Sequence, residues 1–210
     1  MISHKHKCIF VHIPKTAGSS IENVIWPLES DRVVENLWLG IIKPYRNKYQ
    51  TDGLQHLTSS QIKTEVGTDV FNSYYKFSII RNPWEKAVSQ FIYMKKRKGL
   101  RRFIGMNKWS SFKKYLNLIS KKEHAQWMKQ VDFVYDENGM IMVDKIIRFE
   151  NIEEEFQLMR QHLGIPYIKL PHVNKSKRKH YTKYYNKSTI QIVSDLYKED
   201  IEAFNYTFEG

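Results

Sequence analysis

The stretch "HIPKTAGSS" (12–20) gathers a lysine, a threonine, a glycine and two serines in one short turn. Lys15 brings a mobile positive charge, and Thr16, Ser19 and Ser20 bring hydroxyl donors. Ala17 and Gly18 add little bulk, and Gly18 lets the backbone come close to a ligand. Such a set suits an oxyanion of the phosphate or sulfate type. It is not a nucleoside-triphosphate loop in the usual order, because G-x-x-x-x-G-K-[ST] needs an early glycine and a lysine after the second one. A second set lies in "FSIIRNPWEKAVSQF" (77–91), with Arg81 followed by Ser89. A guanidinium fork can hold two oxygens of a phosphate at once. Between the two sets stands His56, in "DGLQHLTSS" (52–60), a side chain able to take a proton from an alcohol near neutral pH.

These residues need elements that aim them. A helix opening directly after a strand presents unpaired backbone N–H groups and the positive end of its dipole. "CIFVHI" (8–13) is short, apolar and β-branched, as a buried parallel strand is, and "SSIENVIW" continues as a helix that Pro27 stops. "YKFSII" (75–80) is a second strand, and Asn82 and Pro83 start a helix with Trp84, Ala87, Val88, Phe91 and Ile92 at helical spacing. Thr58 and Gln61 stand at capping-box spacing, with Gly67 as the stop, which predicts a short helix just after His56. "DFVYDENGMIMVDKIIRF" (132–149) sets Asn138-Gly139 between strand-like runs and predicts a hairpin. "NIEEEFQLMRQHLG" (151–164) predicts a helix with Ile152, Phe156, Met159 and Leu163 on one side. The last helix turns Val193, Leu196, Tyr197, Ile201 and Phe204 inward. Two strand–turn–helix units, at 8–26 and 75–97, indicate an α/β domain with a central parallel sheet flanked by helices.

Composition bounds the reading. The 210 residues suit one domain, 1–210, and 41% hydrophobic content with mixed charge suits a soluble globular protein. A net charge of +12 draws polyanions without naming one. The lone cysteine, Cys8, cannot form an internal disulfide, and no run is long enough for a signal peptide or a membrane span. A cytoplasmic protein is expected, with peripheral membrane association open. No His/Cys/Asp spacing resembles a metal site.

The two sets together resemble sulfotransferases that use 3′-phosphoadenosine 5′-phosphosulfate (PAPS). "HIPKTAGSS" looks like their 5′-phosphosulfate loop and "IIRNPWEKAVSQF" like their 3′-phosphate motif. The likeness runs on through "IIRFENIEEEF" and "LPHVNKSKRKHY", and its flavour is that of the carbohydrate branch, which includes bacterial members and uronosyl 2-O-sulfotransferases. The resemblance implies a P-loop-like three-layer fold and PAPS as co-substrate, with no metal. It puts the phosphosulfate on Lys15, Thr16, Ala17, Gly18, Ser19 and Ser20, with Lys15 near the oxygen bridging sulfur and phosphorus. It puts the 3′-phosphate on Arg81 and Ser89, and a late clamp on Ser176, Lys177 and Arg178. The uronosyl enzymes place their proposed base in the interval that holds His56; Asp52 and Glu22 are the acidic alternatives. The lysine–glycine pair of the cytosolic small-molecule branch is missing.

The implied acceptor is a glycan hydroxyl, and the basic, aromatic stretches 28–55, 93–130 and 132–144 suit an acidic glycan. Trp109, Tyr115 and Trp127 could stack on sugars, although a core role is the default for each. Two rivals remain: a kinase or nucleotide-binding protein with an unusual phosphate loop, and a non-enzymatic nucleic-acid-binding domain. No RNA-recognition or helix-turn-helix signature supports the second, so nucleic acid is not an expected partner. Sequence leaves the oligomeric state open.

Overall fold

The computed structural model describes residues 1–38, 54–171 and 178–209. The chain divides into two compact units, residues 1–80 with 130–175 and residues 81–129 with 176–210.

The first unit is built on a four-stranded sheet in chain order: β1 (Ile2–Ser3), β2 (Cys8–Val11), β3 (Tyr75–Ile80) and β4 (Lys145–Arg148). β2, β3 and β4 run parallel, with Phe10 opposite Phe77 and Ile79 opposite Ile147, while β1 folds back antiparallel on β2. Ile9, Phe10, Val11, Phe77, Ser78, Ile79 and Ile80 are all buried, so both faces of the central strands are covered, as a parallel sheet requires. On one face Phe10, Phe77, Ile79 and Ile147 form a core with α1 (Gly18–Ile25) and the helix that follows β4. Also in this unit are α2 (Ser59–Val66) and α3 (Thr68–Ser73). α2 starts with the expected capping box: Thr58 accepts from the Gln61 N–H, and the Gln61 side chain accepts from the Thr58 N–H.

The second unit holds most of the remaining helices. α4 (Pro83–Lys96) starts where Asn82 accepts from the N–H groups of Trp84 and Glu85, and Trp84, Ala87, Val88 and Phe91 are buried. The Asn82 amide also donates to the carbonyl of Thr207 at 2.8 Å. α5 (Lys98–Ile104) and α6 (Phe112–Ile119) follow. Back in the first unit come α7 (Val131–Val134) and α8 (Ile152–His162). α8 buries Phe156 and Met159 with Ile152 and Leu163 beside them, as its spacing indicates. It is tied to β4 by Glu155, which accepts from the Arg148 N–H at 3.2 Å and pairs with Lys145 at 2.9 Å. The second unit ends with α9 (Lys187–Leu196) and α10 (Lys198–Phe204).

Two expectations are corrected. The hairpin around Asn138-Gly139 shrinks to a tight turn with one bridge, Tyr135 to Ile141. Asp136 holds that turn by accepting from the N–H groups of Asn138 and Met140. The run before it becomes α7, with Phe133 and Val134 buried and the Ser59 hydroxyl donating to the Phe133 carbonyl at 2.8 Å. The run after it pairs with β3 instead, so each strand-like segment finds a better partner than the other. The expected single last helix is two, broken at Tyr197 (φ −122°, ψ 30°). Val193, Tyr197 and Phe204 are buried as expected, but Leu196 and Ile201 only partly.

Candidate active site

β2 hands the chain to α1 through a strained turn. Lys15 (φ 71°) and Ala17 (φ 73°) both adopt the left-handed conformation, which costs a non-glycine residue roughly 1–3 kcal/mol. Thr16 lies between them, fully buried, and its hydroxyl donates to the Ile13 carbonyl at 2.8 Å. That bond commits the hydroxyl hydrogen of Thr16 within the turn. The first helical bond runs from Ser20 N–H to the Ala17 carbonyl. Lys15, Ala17 and Ser19 are half-buried, and Gly18 and Ser20 are buried.

Gly18 also has a packing role in the turn. Its φ is not positive; instead, a Cβ built there would lie 1.8 Å from His12 Nε2. The glycine makes room for an imidazole. His12 and Glu22, both buried, place Nδ1 and Oε1 2.9 Å apart, and the His12 ring stacks on Phe10 with centroids 5.3 Å apart. Glu22, weighed above as an acidic base, is thus engaged with His12.

His56 joins this cluster. It ends a tight helical turn, Leu54–His56, and its ring meets the His12 ring at 4.6 Å and 63°. His56 Nδ1 lies 3.1 Å from the backbone carbonyl oxygen of His12. A carbonyl only accepts, so Nδ1 carries the hydrogen, and in the neutral ring Nε2 holds the lone pair. Asp52, the other acidic candidate, lies outside the described residues.

In the second unit, Arg81 and Arg178 meet on one atom. Their guanidinium groups lie 2.8 Å and 2.7 Å from Glu85 Oε1. Burial would push the Glu85 carboxyl up, but hydrogen bonds and charge from Arg81 and then Arg178 outweigh it and hold it below the usual carboxylate range. Arg81 is buried, and Arg178 nearly so. Glu85 and Ser89 are one turn apart on α4, so they share a face. Ser176 and Lys177 lie outside the described residues.

His4, His124, His162 and His180 have partners elsewhere. His4 bonds the Tyr74 hydroxyl, His162 packs on Tyr75 and His180 bonds Thr182. His124 accepts from the Gln126 N–H at 3.1 Å and stacks on Trp127 at 4.8 Å; burial lowers its pKa to about 4. Tyr115 and Trp127 are core residues, whereas Trp109 is 87% exposed. Among the described residues no cluster of His, Cys, Asp and Glu could hold a metal ion.

Glu85, and the pairing of Glu22 with His12, are what sequence reasoning passed over. The signal for Glu85 was present, since it stands four residues after Arg81. The His12–Glu22 pair had none, because His12 read as an interior strand position.

Residues 1–207 match the sulfotransferase family. A protein of Archaeoglobus fulgidus named only as uncharacterized is 28% identical over 105 residues, half of this chain and 80% of its own length. The family match spans both strand–turn–helix units and the sheet that carries them, so the chain belongs to the sulfotransferase family and is a transferase.

Proposed function

We propose that the protein moves a sulfuryl group from PAPS to a hydroxyl of a carbohydrate, with an acidic oligo- or polysaccharide as the acceptor. The observation that carries the donor assignment is the convergence of Arg81 and Arg178 on Glu85 Oε1. Two guanidinium forks brought together in a largely buried setting suit a phosphate and give the protein a means of telling a 3′-phosphorylated nucleotide from AMP or ATP. Ser89, one turn beyond Glu85, adds a hydroxyl to that group.

The strained turn suits a phosphosulfate group. Backbone N–H groups opening α1, with Ser19 and Ser20, hold the phosphosulfate, and Lys15 meets the charge that grows on the bridging oxygen as the S–O bond breaks. The acceptor oxygen forms a new bond to sulfur while the bridging S–O bond breaks, and 3′-phosphoadenosine 5′-phosphate departs. The acceptor proton passes to His56 Nε2, the nitrogen left with a lone pair by the Nδ1–H to His12 carbonyl bond.

Calorimetry with 3′-phosphoadenosine 5′-phosphate and with AMP tests the donor. The 3′-phosphorylated nucleotide binds far more tightly; equal affinities, or a preference for ATP with magnesium, overturn the reading. A radiolabelled-sulfate transfer screen over neutral and acidic glycans then identifies the acceptor.

A further inference from the structure

From Lys86 to Lys122 every charged side chain is a lysine or an arginine, and Glu85 and Glu123 bracket the stretch. Two of these cations serve the fold. Lys86 donates to the Met128 carbonyl at 3.0 Å, and Arg101 donates to the Met94 carbonyl at 3.3 Å near the end of α4. Lys96, Arg97, Lys98, Arg102 and Lys108 are exposed. Among them stand two exposed rings, Trp109 at 87% and Phe103 at 46%. Lys122 sits 5.0 Å from the Phe103 ring centre and Lys108 5.9 Å from that of Trp109. The Lys122–Phe103 contact brings the end of the stretch back to its middle, so the charge forms a surface as well as a run in sequence.

We propose that this surface, α5 with the turn carrying Trp109 and with Lys122, docks the protein on an anionic lipid bilayer. The charge complements acidic headgroups, and the rings explain why the occupant is a membrane. An indole and a phenyl ring held out in water gain most where their faces can enter the headgroup–acyl boundary while neighbouring ammonium and guanidinium groups stay at the lipid phosphates. A soluble polyanion would satisfy the cations, but Phe103 has no polar atom to offer it. Among the described residues no helix is long and apolar enough to cross a membrane. The surface also lies apart from the guanidinium pair: α4 separates them by 14 residues, on the order of 20 Å of helix. The proposal stands independently of the donor and acceptor assigned above.

Sedimentation of the full chain with phosphatidylcholine vesicles, with and without 30% phosphatidylserine, tests it. The protein binds the mixed vesicles and not the neutral ones, and binding weakens as salt rises. Lys98→Glu with Arg102→Glu lowers vesicle affinity more than roughly 25-fold, at about five-fold per cation removed. Trp109→Ala lowers it about tenfold. Each variant must keep the parent's thermal unfolding midpoint, which its exposed position allows. A parallel titration with a sulfated oligosaccharide separates the other occupant. Failure to bind phosphatidylserine vesicles overturns the proposal, and so does oligosaccharide binding that alone depends on Trp109.

Discussion

The imidazole of His12 fills the space that a side chain at residue 18 would need, with Nε2 1.8 Å from the position of a Cβ on Gly18. The ring cannot easily retreat, because Phe10 stacks on it, Glu22 Oε1 lies 2.9 Å from Nδ1 and His56 meets its edge. Gly18→Ala therefore destabilises the protein by about 1–3 kcal/mol, the usual size of an overpacked core. Adding His12→Ala to Gly18→Ala costs less than the sum of the single changes, since the clash disappears with the ring. Urea unfolding of the two single variants and the double one measures the coupling. Additive costs would show that the loop accommodates a side chain by another route.

His56 is expected to govern turnover and leave nucleotide binding alone. His56→Ala lowers turnover by roughly 10²–10⁴-fold, the range of a lost general base, while affinity for 3′-phosphoadenosine 5′-phosphate stays near that of the parent. Retained turnover on a verified acceptor would place the base elsewhere.

Arg81 and Arg178 should act on the 3′-phosphate alone. Arg81→Ala and Arg178→Ala each weaken 3′-phosphoadenosine 5′-phosphate by about 1.5–3 kcal/mol, the size of a hydrogen bond to a charged group, with little change for AMP. Competition binding with both nucleotides reads the difference. A loss shared equally by the two nucleotides would mean that the arginines only support the fold.

His124 should make the protein sensitive to mild acid. Its folded pKa, about 4, lies below its ordinary value of 6.5, so between these values the unfolded chain binds more protons than the folded one. Stability consequently falls as pH drops below 6.5 and goes on falling until about 4. His124→Asn keeps an acceptor for the Gln126 N–H but cannot titrate. Its urea midpoint should decline less between pH 7 and pH 5 than that of the parent. An identical decline in both proteins would assign the sensitivity to other groups.

Local rules explain what was legible in the sequence. Thr58 and Gln61 form their capping box because both partners lie within one turn. "YKFSII" is β3 over its full length because every residue after Tyr75 is buried, whatever lies beside it. The hairpin failed because Asn138-Gly139 specifies a turn and not a ladder, and the choice between pairing with each other and pairing with β3 is made by distant residues. The site shows the same divide. Lys15, Arg81 and His56 could be picked by type and position, but the reason for Gly18 lies in a ring six residues earlier that folds back over the turn. Arg178 reaches Glu85 across 93 positions, which no local pattern encodes.

Asn82, which starts α4 beside Arg81, also holds the carbonyl of Thr207, 125 positions away. Phe208 packs edge-on against Trp84 and Tyr185 in the same unit. A ribosome must therefore have made the 125 residues that follow Asn82 before the start of α4 can gain these contacts. β4 likewise reaches the sheet only after the first segment of the other unit has been made. Neither unit can close as it emerges, and each must wait for its own second half. Folding of each unit thus waits on synthesis of its own later segment, and chains stalled after Lys129 would expose the unpaired edge of β3 and the bare face of α4, surfaces on which chaperones act.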